Sequence, residues 1–174
     1  EMCRRDSYRQ ACQLNPALLS SWNSLYNYFT KTKNKPAADH ALDQIKTLKS
    51  IPANLLYISQ ILNEGRLGLA ETKCREFLKK NPTHTYAMSL LSQIADRLGY
   101  FDDAEFLLKN AVKFKPNNGD LRMKYAMILR KKQKFAETLE QVNILCEMYP
   151  DNLSYQAQKA SEIMQNGNHE EAVK

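Results

Sequence analysis

The sequence contains little glycine and few of the residues from which catalytic and metal sites are built. Only five of the 174 residues are glycine, and neither a GxxxxGK[ST] nor a GxGxxG pattern occurs, so we expect no phosphate-cradling loop. The four cysteines form no CxxC pair, and the three histidines lie far apart. These spacings predict neither a disulfide framework nor a zinc site. We therefore expect a chain that has no catalytic residues and binds no metal or cofactor.

Long apolar runs are also missing. No stretch approaches the roughly 18 apolar residues that a membrane-spanning helix needs, and residues 1–10 lack the apolar segment of a secretory signal. We expect no membrane association and a cytoplasmic location, which agrees with unpaired cysteines. The net charge of +6 leaves two interpretations. Lys and Arg either solvate the outer helix faces, which we favour, or form a basic surface for nucleic acid.

What the sequence does contain is a period of 34 residues. Gly65 and Gly99 are separated by that distance, as are Ala70 and Ala104. The same spacing relates three prolines, Pro82, Pro116 and Pro150. Chance coincidence of two residue types that each make up about 5–7% of average sequence is rare. The chain is therefore expected to be built of repeats.

The stretch "RLGYFDDA" (97–104) predicts how each repeat is built. Glycine just past a helix end accepts the left-handed backbone that closes the last turn. Asp102 and Asp103 then fall in the first turn of a second helix, where the helix dipole favours negative charge. Ala104 lets the two helices approach closely. Because adjacent acids on a helix point about 100° apart, this stretch is interpreted as a helix joint and not as a catalytic site.

A 34-residue unit of two helices, with small residues at the crossing and proline at its end, resembles the tetratricopeptide repeat (TPR). The resemblance covers residues 1–174 as a single domain. Its parts are a half repeat at 1–18, repeats at 19–50, 51–84, 85–118 and 119–152, and a partial repeat at 153–174. Since both ends fall inside a repeat, we expect a fragment of a longer protein. The resemblance implies an all-α solenoid of antiparallel helix pairs forming a right-handed superhelix, with first helices lining its concave groove.

The resemblance also predicts which side chains point into that groove. Positions 2, 5, 9, 12 and 13 of the first helices should face it. The candidate partner-binding residues are Tyr86, Ser89, Gln93, Arg97, Met123, Met127, Arg130 and Lys131. Methionine is adaptable and suits recognition of a protein or peptide. Two alternatives stay open: the methionines pack against a neighbouring repeat, and the basic run "LRKKQK" (129–134) stabilises a helix C-terminus.

Two binding devices known in the TPR family are absent. The carboxylate clamp for chaperone C-termini needs Asn, Lys and Arg at positions where this chain has Leu56, Tyr86 and Leu90. The asparagine ladder of the O-linked N-acetylglucosamine transferase superhelix needs a repeated Asn at position 6. This chain has Ser24, Leu56, Leu90, Lys124 and Gln158 there.

A narrower resemblance involves residues 91–117 and 125–160. These segments, and above all the pattern Asp-Asn-x-x-Tyr-x-x-x-Lys-Ala at 151–160, look like the TPR arm of bacterial proteins that carry a C-terminal sulfotransferase domain. That resemblance implies an arm that presents substrate to an enzyme. The main interpretation is a non-catalytic scaffold that binds a protein or peptide in its groove, with the enzyme arm and the nucleic-acid binder as alternatives.

Overall fold

The computed structural model describes Gln10 and residues 19–165, and all regular secondary structure in that part of the chain is α-helical. The helices are α1 (Leu19–Lys31), α2 (Lys35–Ser50), α3 (Ala53–Asn63), α4 (Leu67–Lys80), α5 (Thr85–Arg97), α6 (Phe101–Phe114), α7 (Gly119–Lys131), α8 (Phe135–Met148) and α9 (Leu153–Gln165). None of these helices is both long enough and apolar enough to cross a lipid bilayer. The predicted all-α fold class is confirmed.

The chain divides into two compact units, Glu1–Ala70 and Glu71–Lys174, and the division falls inside α4. In the first unit, α1 packs against α2 around a small core of Leu25, Phe29, Ala38 and Ala41. The Trp22 ring meets the His40 ring edge to face, with centroids 5.9 Å apart. Helix α3 has 11 residues, two fewer than α1.

The second unit has a larger core. Each helix from α5 to α9 packs against the next, and three-residue connections at 98–100 and 132–134 make α5–α6 and α7–α8 antiparallel pairs. The core residues shared by α5, α6 and α7 are Met88, Ala95, Ala104, Leu108, Ala111, Val112, Leu121, Tyr125, Ile128 and Leu129. Ala104 is fully buried, as expected for a small residue where two helices cross.

The joints inside the repeats have the left-handed backbone that the sequence predicts. Gly65 and Gly99 have φ angles of 79° and 80°. Gln133, which stands in the place of glycine one repeat later, has a φ angle of 58°, and Lys33 has 55°. The prediction of a left-handed joint is confirmed. At Gln133 the joint is formed by a residue with a Cβ atom, which strains the left-handed backbone.

The ends of the second helices also agree with the sequence. Helices α4, α6 and α8 each end two residues before a proline, at Pro82, Pro116 and Pro150.

Two of the helices that follow these prolines begin with a side chain that caps the first turn. Asn118 Oδ1 accepts a hydrogen bond of 3.0 Å from the Leu121 amide, and His84 Nδ1 accepts one of 3.3 Å from the Ala87 amide. These caps satisfy backbone donors that the first turn of a helix leaves unpaired.

Gly119, the first residue of α7, is required for a close approach of two tyrosines. A Cβ atom at this position would lie 2.7 Å from Cε2 of Tyr149 and 3.0 Å from the hydroxyl of Tyr155. The Tyr149 hydroxyl donates a hydrogen bond of 3.1 Å to the carbonyl of Asn117. The tyrosines therefore close the junction between α7, α8 and α9 over a residue with no side chain.

Two sequence predictions lie outside the described residues. One is the half repeat at 1–18, of which the structure describes only Gln10. The other is the last joint and second helix, which the sequence places around Gly167 and Ala172.

Candidate functional site

The predicted partner-binding residues all lie in the second unit, on α5 and α7. The first helices of consecutive repeats, α5, α7 and α9, contact one another through side chains. Lys124 reaches Ser89 of α5, Lys131 reaches Asp96 of α5, and Arg130 reaches Gln165 of α9. We call the side on which these contacts occur the first-helix surface.

Met127 lies in the middle of this surface. It is three residues after Lys124 and three and four residues before Arg130 and Lys131, so all four share one face of α7. Met127 is 54% exposed. Met123, one turn earlier on the same face, is half-buried. The two methionines form a short apolar strip that is accessible mainly at Met127.

Lys131 is held by the neighbouring first helix. Its ammonium group donates to both carboxylate oxygens of Asp96, at 2.5 and 2.7 Å. The same nitrogen lies 5.8 Å from the centre of the Phe101 ring, within range of a cation–π interaction. The positive charge of Lys131 is therefore balanced within the protein.

Arg130 is held by α9. Its Nη2 donates a hydrogen bond of 2.7 Å to Gln165 Oε1, and its Nη1 lies 3.3 Å from Glu162 Oε1. The side chain of Glu162 is only 1% exposed, and the same oxygen accepts a hydrogen bond from Gln158. The other carboxylate oxygen of Glu162 has no hydrogen-bond partner. Arg130 is therefore the cation that balances a buried carboxylate.

The other predicted residues differ in accessibility. Ser89 is 2% exposed and accepts a hydrogen bond of 3.3 Å from Lys124, so it is not accessible to a partner in this structure. The Gln93 amide donates to the Ser89 carbonyl at 3.2 Å and is half-buried. Tyr86 is half-buried, and Arg97 is exposed at the end of α5. The accessible part of the predicted set is thus narrower than the sequence suggests.

A second charge cluster connects α6 to the joint between α7 and α8. Lys132 donates to both Asp102 and Glu105, and Lys134 donates to Glu105 at 2.7 Å. Burial alone would raise the pKa of Glu105, whose side chain is 12% exposed, but the hydrogen bonds from the two lysines outweigh it and hold this pKa below its ordinary value. Hydrogen bonds to Asp102 and Glu105 raise the pKa of Lys132, and the hydrogen bond to Glu105 raises the pKa of Lys134.

Sequence reasoning missed these pairs, although a signal for them exists. The contacts between first helices, Lys124–Ser89, Lys131–Asp96 and Arg130–Gln165, all span 35 residues, one more than the repeat period. A search of the sequence for opposite charges 35 residues apart would therefore have paired Lys131 with Asp96. The basic run at 129–134, which has both a structural and a binding interpretation in the sequence, is engaged in internal ion pairs at four of its positions, Arg130, Lys131, Lys132 and Lys134.

We searched the described residues for a metal site and for a reactive thiol. Among them, no group of three His, Cys, Asp or Glu side chains could hold a metal ion. Burial raises the pKa of the Cys74 thiol to about 12, so this buried residue stays protonated. Its sulfur donates a hydrogen bond to the Ala87 carbonyl at 3.2 Å, which makes it part of the core.

Comparison with known proteins establishes the fold. Neither a protein-family model nor a curated protein sequence matches this chain. Among solved structures, MamA from Desulfovibrio magneticus RS-1 superposes with a TM-score of 0.63 at 13% identity, with 89% of each chain covered. MamA of MSR-1 superposes with a TM-score of 0.59 at 18% identity, covering 88% of this chain and 90% of its own. These are TPR-like helical-repeat structures, and this chain has the same all-helical solenoid fold.

A third solved structure belongs to an enzyme. A mutant of O-GlcNAc transferase from Thermobaculum terrenum superposes with a TM-score of 0.57 at 19% identity. The match covers 64% of this chain but only 21% of the transferase, in part of its TPR region. At such identities the likeness concerns the fold and not the activity.

Proposed function

We propose that this chain is a non-catalytic scaffold that binds a protein or peptide on its first-helix surface. The observation that carries the proposal is the exposure of Met127 between three charged residues that are all held by internal contacts. An accessible methionine surrounded by fixed side chains offers an adaptable apolar contact on a rigid base. The TPR-like fold, in which stacked repeats create extended binding surfaces, supports the same proposal.

The experiment begins with affinity purification of partners from cells of the source organism, using the tagged wild-type chain. A recovered protein is then purified, and its Kd is measured by calorimetry against wild-type and Met127→Glu. We expect Met127→Glu to weaken binding by more than about tenfold, because a central anchor residue carries a large share of the binding free energy. The control is Phe106→Glu, which places the same acid at a residue of α6 that is 68% exposed.

Helical circular dichroism should be unchanged in both variants, since both side chains are largely exposed. If partners bind Met127→Glu as tightly as they bind wild-type, the first-helix surface is not the binding site. If Phe106→Glu weakens binding and Met127→Glu does not, the second-helix side carries the interaction.

The enzyme-arm alternative depends on the pattern at 151–160, and that pattern has structural roles in this fold. Asn152 Oδ1 accepts hydrogen bonds from the amides of Ser154 and Tyr155 at the start of α9. Tyr155 packs against Tyr149, with ring centroids 5.7 Å apart. Sulfonate transfer from phosphoadenosine phosphosulfate tests whether this chain is itself catalytic, and we expect no rate above a heat-inactivated control.

The nucleic-acid alternative is not favoured, because the basic residues nearest to one another are already paired with carboxylates. A nucleic-acid complex would lose affinity steeply with salt as phosphate counterions are released. We expect no such complex with single- or double-stranded DNA at about 150 mM salt, as measured by fluorescence anisotropy.

A further inference from the structure

The charges around Met127 are balanced within the protein. Lys131 is bound by Asp96, and Arg130 is paired with Glu162. Lys124 lies 2.8 Å from an Asp120 carboxylate oxygen and also donates to Ser89. Three basic side chains are thus matched by three carboxylates.

This balance restricts the chemistry of the partner. An acidic segment that approached Lys131 would compete with a carboxylate that already accepts two short hydrogen bonds. One that drew Arg130 away would leave Glu162 buried without its cation, which is strongly unfavourable. Acidic side chains therefore gain little on this surface, and apolar contact with Met127 remains the main source of binding free energy.

The residues beside Met127 suit an uncharged segment as well. One repeat before and one repeat after, the equivalent positions hold Gln93 and Ser161, which are both half-buried and uncharged. Short polar side chains on either side of an apolar contact can exchange hydrogen bonds with a peptide backbone without selecting a charge.

We propose that the first-helix surface takes a peptide segment of a protein partner that is apolar at its anchor and carries no surplus of negative charge, with the anchor side chain on Met127. This inference rests on the proposed function and adds the class of partner. It differs from the alternative interpretation in which the +6 net charge forms a basic surface for nucleic acid.

The test uses a displayed library of random peptides of about twelve residues, selected on the full chain. Enriched peptides are then synthesised, and their Kd values are measured for wild-type, Met127→Glu and the control Phe106→Glu. Each measurement is made at low salt and at roughly 500 mM NaCl, where exposed charge interactions are screened beyond a few ångströms.

The expected result is a set of peptides that share one or two apolar positions and have a net charge near zero. Their affinity should fall more than about tenfold with Met127→Glu, less than about twofold with Phe106→Glu, and less than about threefold between the two salt conditions. Peptides that depend on Met127 but are rich in Asp and Glu and lose affinity steeply with salt would overturn this inference, while leaving the proposed function in place. Enriched peptides that bind Met127→Glu as tightly as wild-type, or no enrichment at all, would contradict both the proposed function and this inference.

Discussion

Arg130 and Glu162 form an ion pair between two first helices, at a position where the preceding repeats have isoleucine. Glu162 is 68 and 34 residues after Ile94 and Ile128, and all three side chains are buried. A carboxylate has thus replaced an aliphatic core residue. Arg130 from α7 compensates its charge, and Gln158 from α9 donates a hydrogen bond to it.

This pairing predicts that a second substitution rescues the stability lost in the first. Arg130→Met removes the cation from a buried carboxylate and should lower the free energy of unfolding by about 2–3 kcal/mol, at the low end for buried pairs because Arg130 is itself partly exposed. Adding Glu162→Ile restores the residue type of the earlier repeats and should recover most of that loss. Urea denaturation of the full chain measures both, and a double variant no more stable than Arg130→Met would contradict this explanation.

The joint at Gln133 predicts a stabilising substitution. A residue with a Cβ atom at a φ of 58° is strained by about 1–2 kcal/mol, whereas glycine adopts this backbone freely but loses more entropy on folding. We expect Gln133→Gly to raise the free energy of unfolding by roughly 0.5–1 kcal/mol. Gln133→Ala keeps the strain and should not stabilise. Thermal unfolding of both variants decides the matter, and a gain for alanine equal to that for glycine would contradict this explanation.

Two glycines in helices predict shifts of opposite sign when replaced by alanine. Gly119→Ala places a methyl group against Tyr149 and Tyr155 and should cost about 1–3 kcal/mol. Gly68 has nothing within 4 Å of an added Cβ atom, so Gly68→Ala should stabilise α4 by up to about 1 kcal/mol. The two unfolding midpoints, measured under one condition, form the comparison. A stabilising Gly119→Ala would mean that Tyr149 and Tyr155 move away from the added methyl group without loss of stability.

The lysine-bound carboxylate of Glu105 predicts how stability depends on pH. Its pKa is lower in the folded state than in the unfolded state, so its stabilising contribution is present above the unfolded pKa, near 4. The contribution is lost as the pH falls through the lower, folded pKa. Glu105→Gln should cost roughly 1 kcal/mol at pH 7. The difference between wild-type and variant should shrink as the pH falls below about 4, and a difference that is constant from pH 7 to pH 3 would argue against ionic stabilisation.

The sequence predicts the elements that depend on local chemistry. The glycine joints, the prolines that follow second helices, the acids in the first turn of α6 and the buried alanine at the helix crossing all follow from backbone preferences and helix periodicity. These features recur every 34 residues because each repeat contains the same helix joint, helix crossing and helix end.

Contacts between repeats are harder to predict, because they depend on how far one helix is displaced along its neighbour. That displacement sets the 35-residue spacing of Lys131 and Asp96, and no single repeat encodes it. The burial of Glu162 is equally hard to predict from the sequence, because a charged residue in an amphipathic pattern is ordinarily assigned to the solvent side. The accessibility of Met127, as opposed to Ser89, is likewise decided by neighbouring side chains.

The pair of Arg130 and Glu162 also fixes the order in which repeats can follow one another. Loss of residues 119–152 would leave the 34-residue apolar period unbroken, and α9 would then take the place of α7 beside α5. Asp96 occupies the position in α5 that Arg130 occupies in α7, so the shortened chain would set one acid against another at the buried carboxylate. Repeats that look interchangeable in their apolar pattern are therefore not interchangeable parts. A gene that loses this whole repeat must also change the residue at the position of Asp96 or of Glu162.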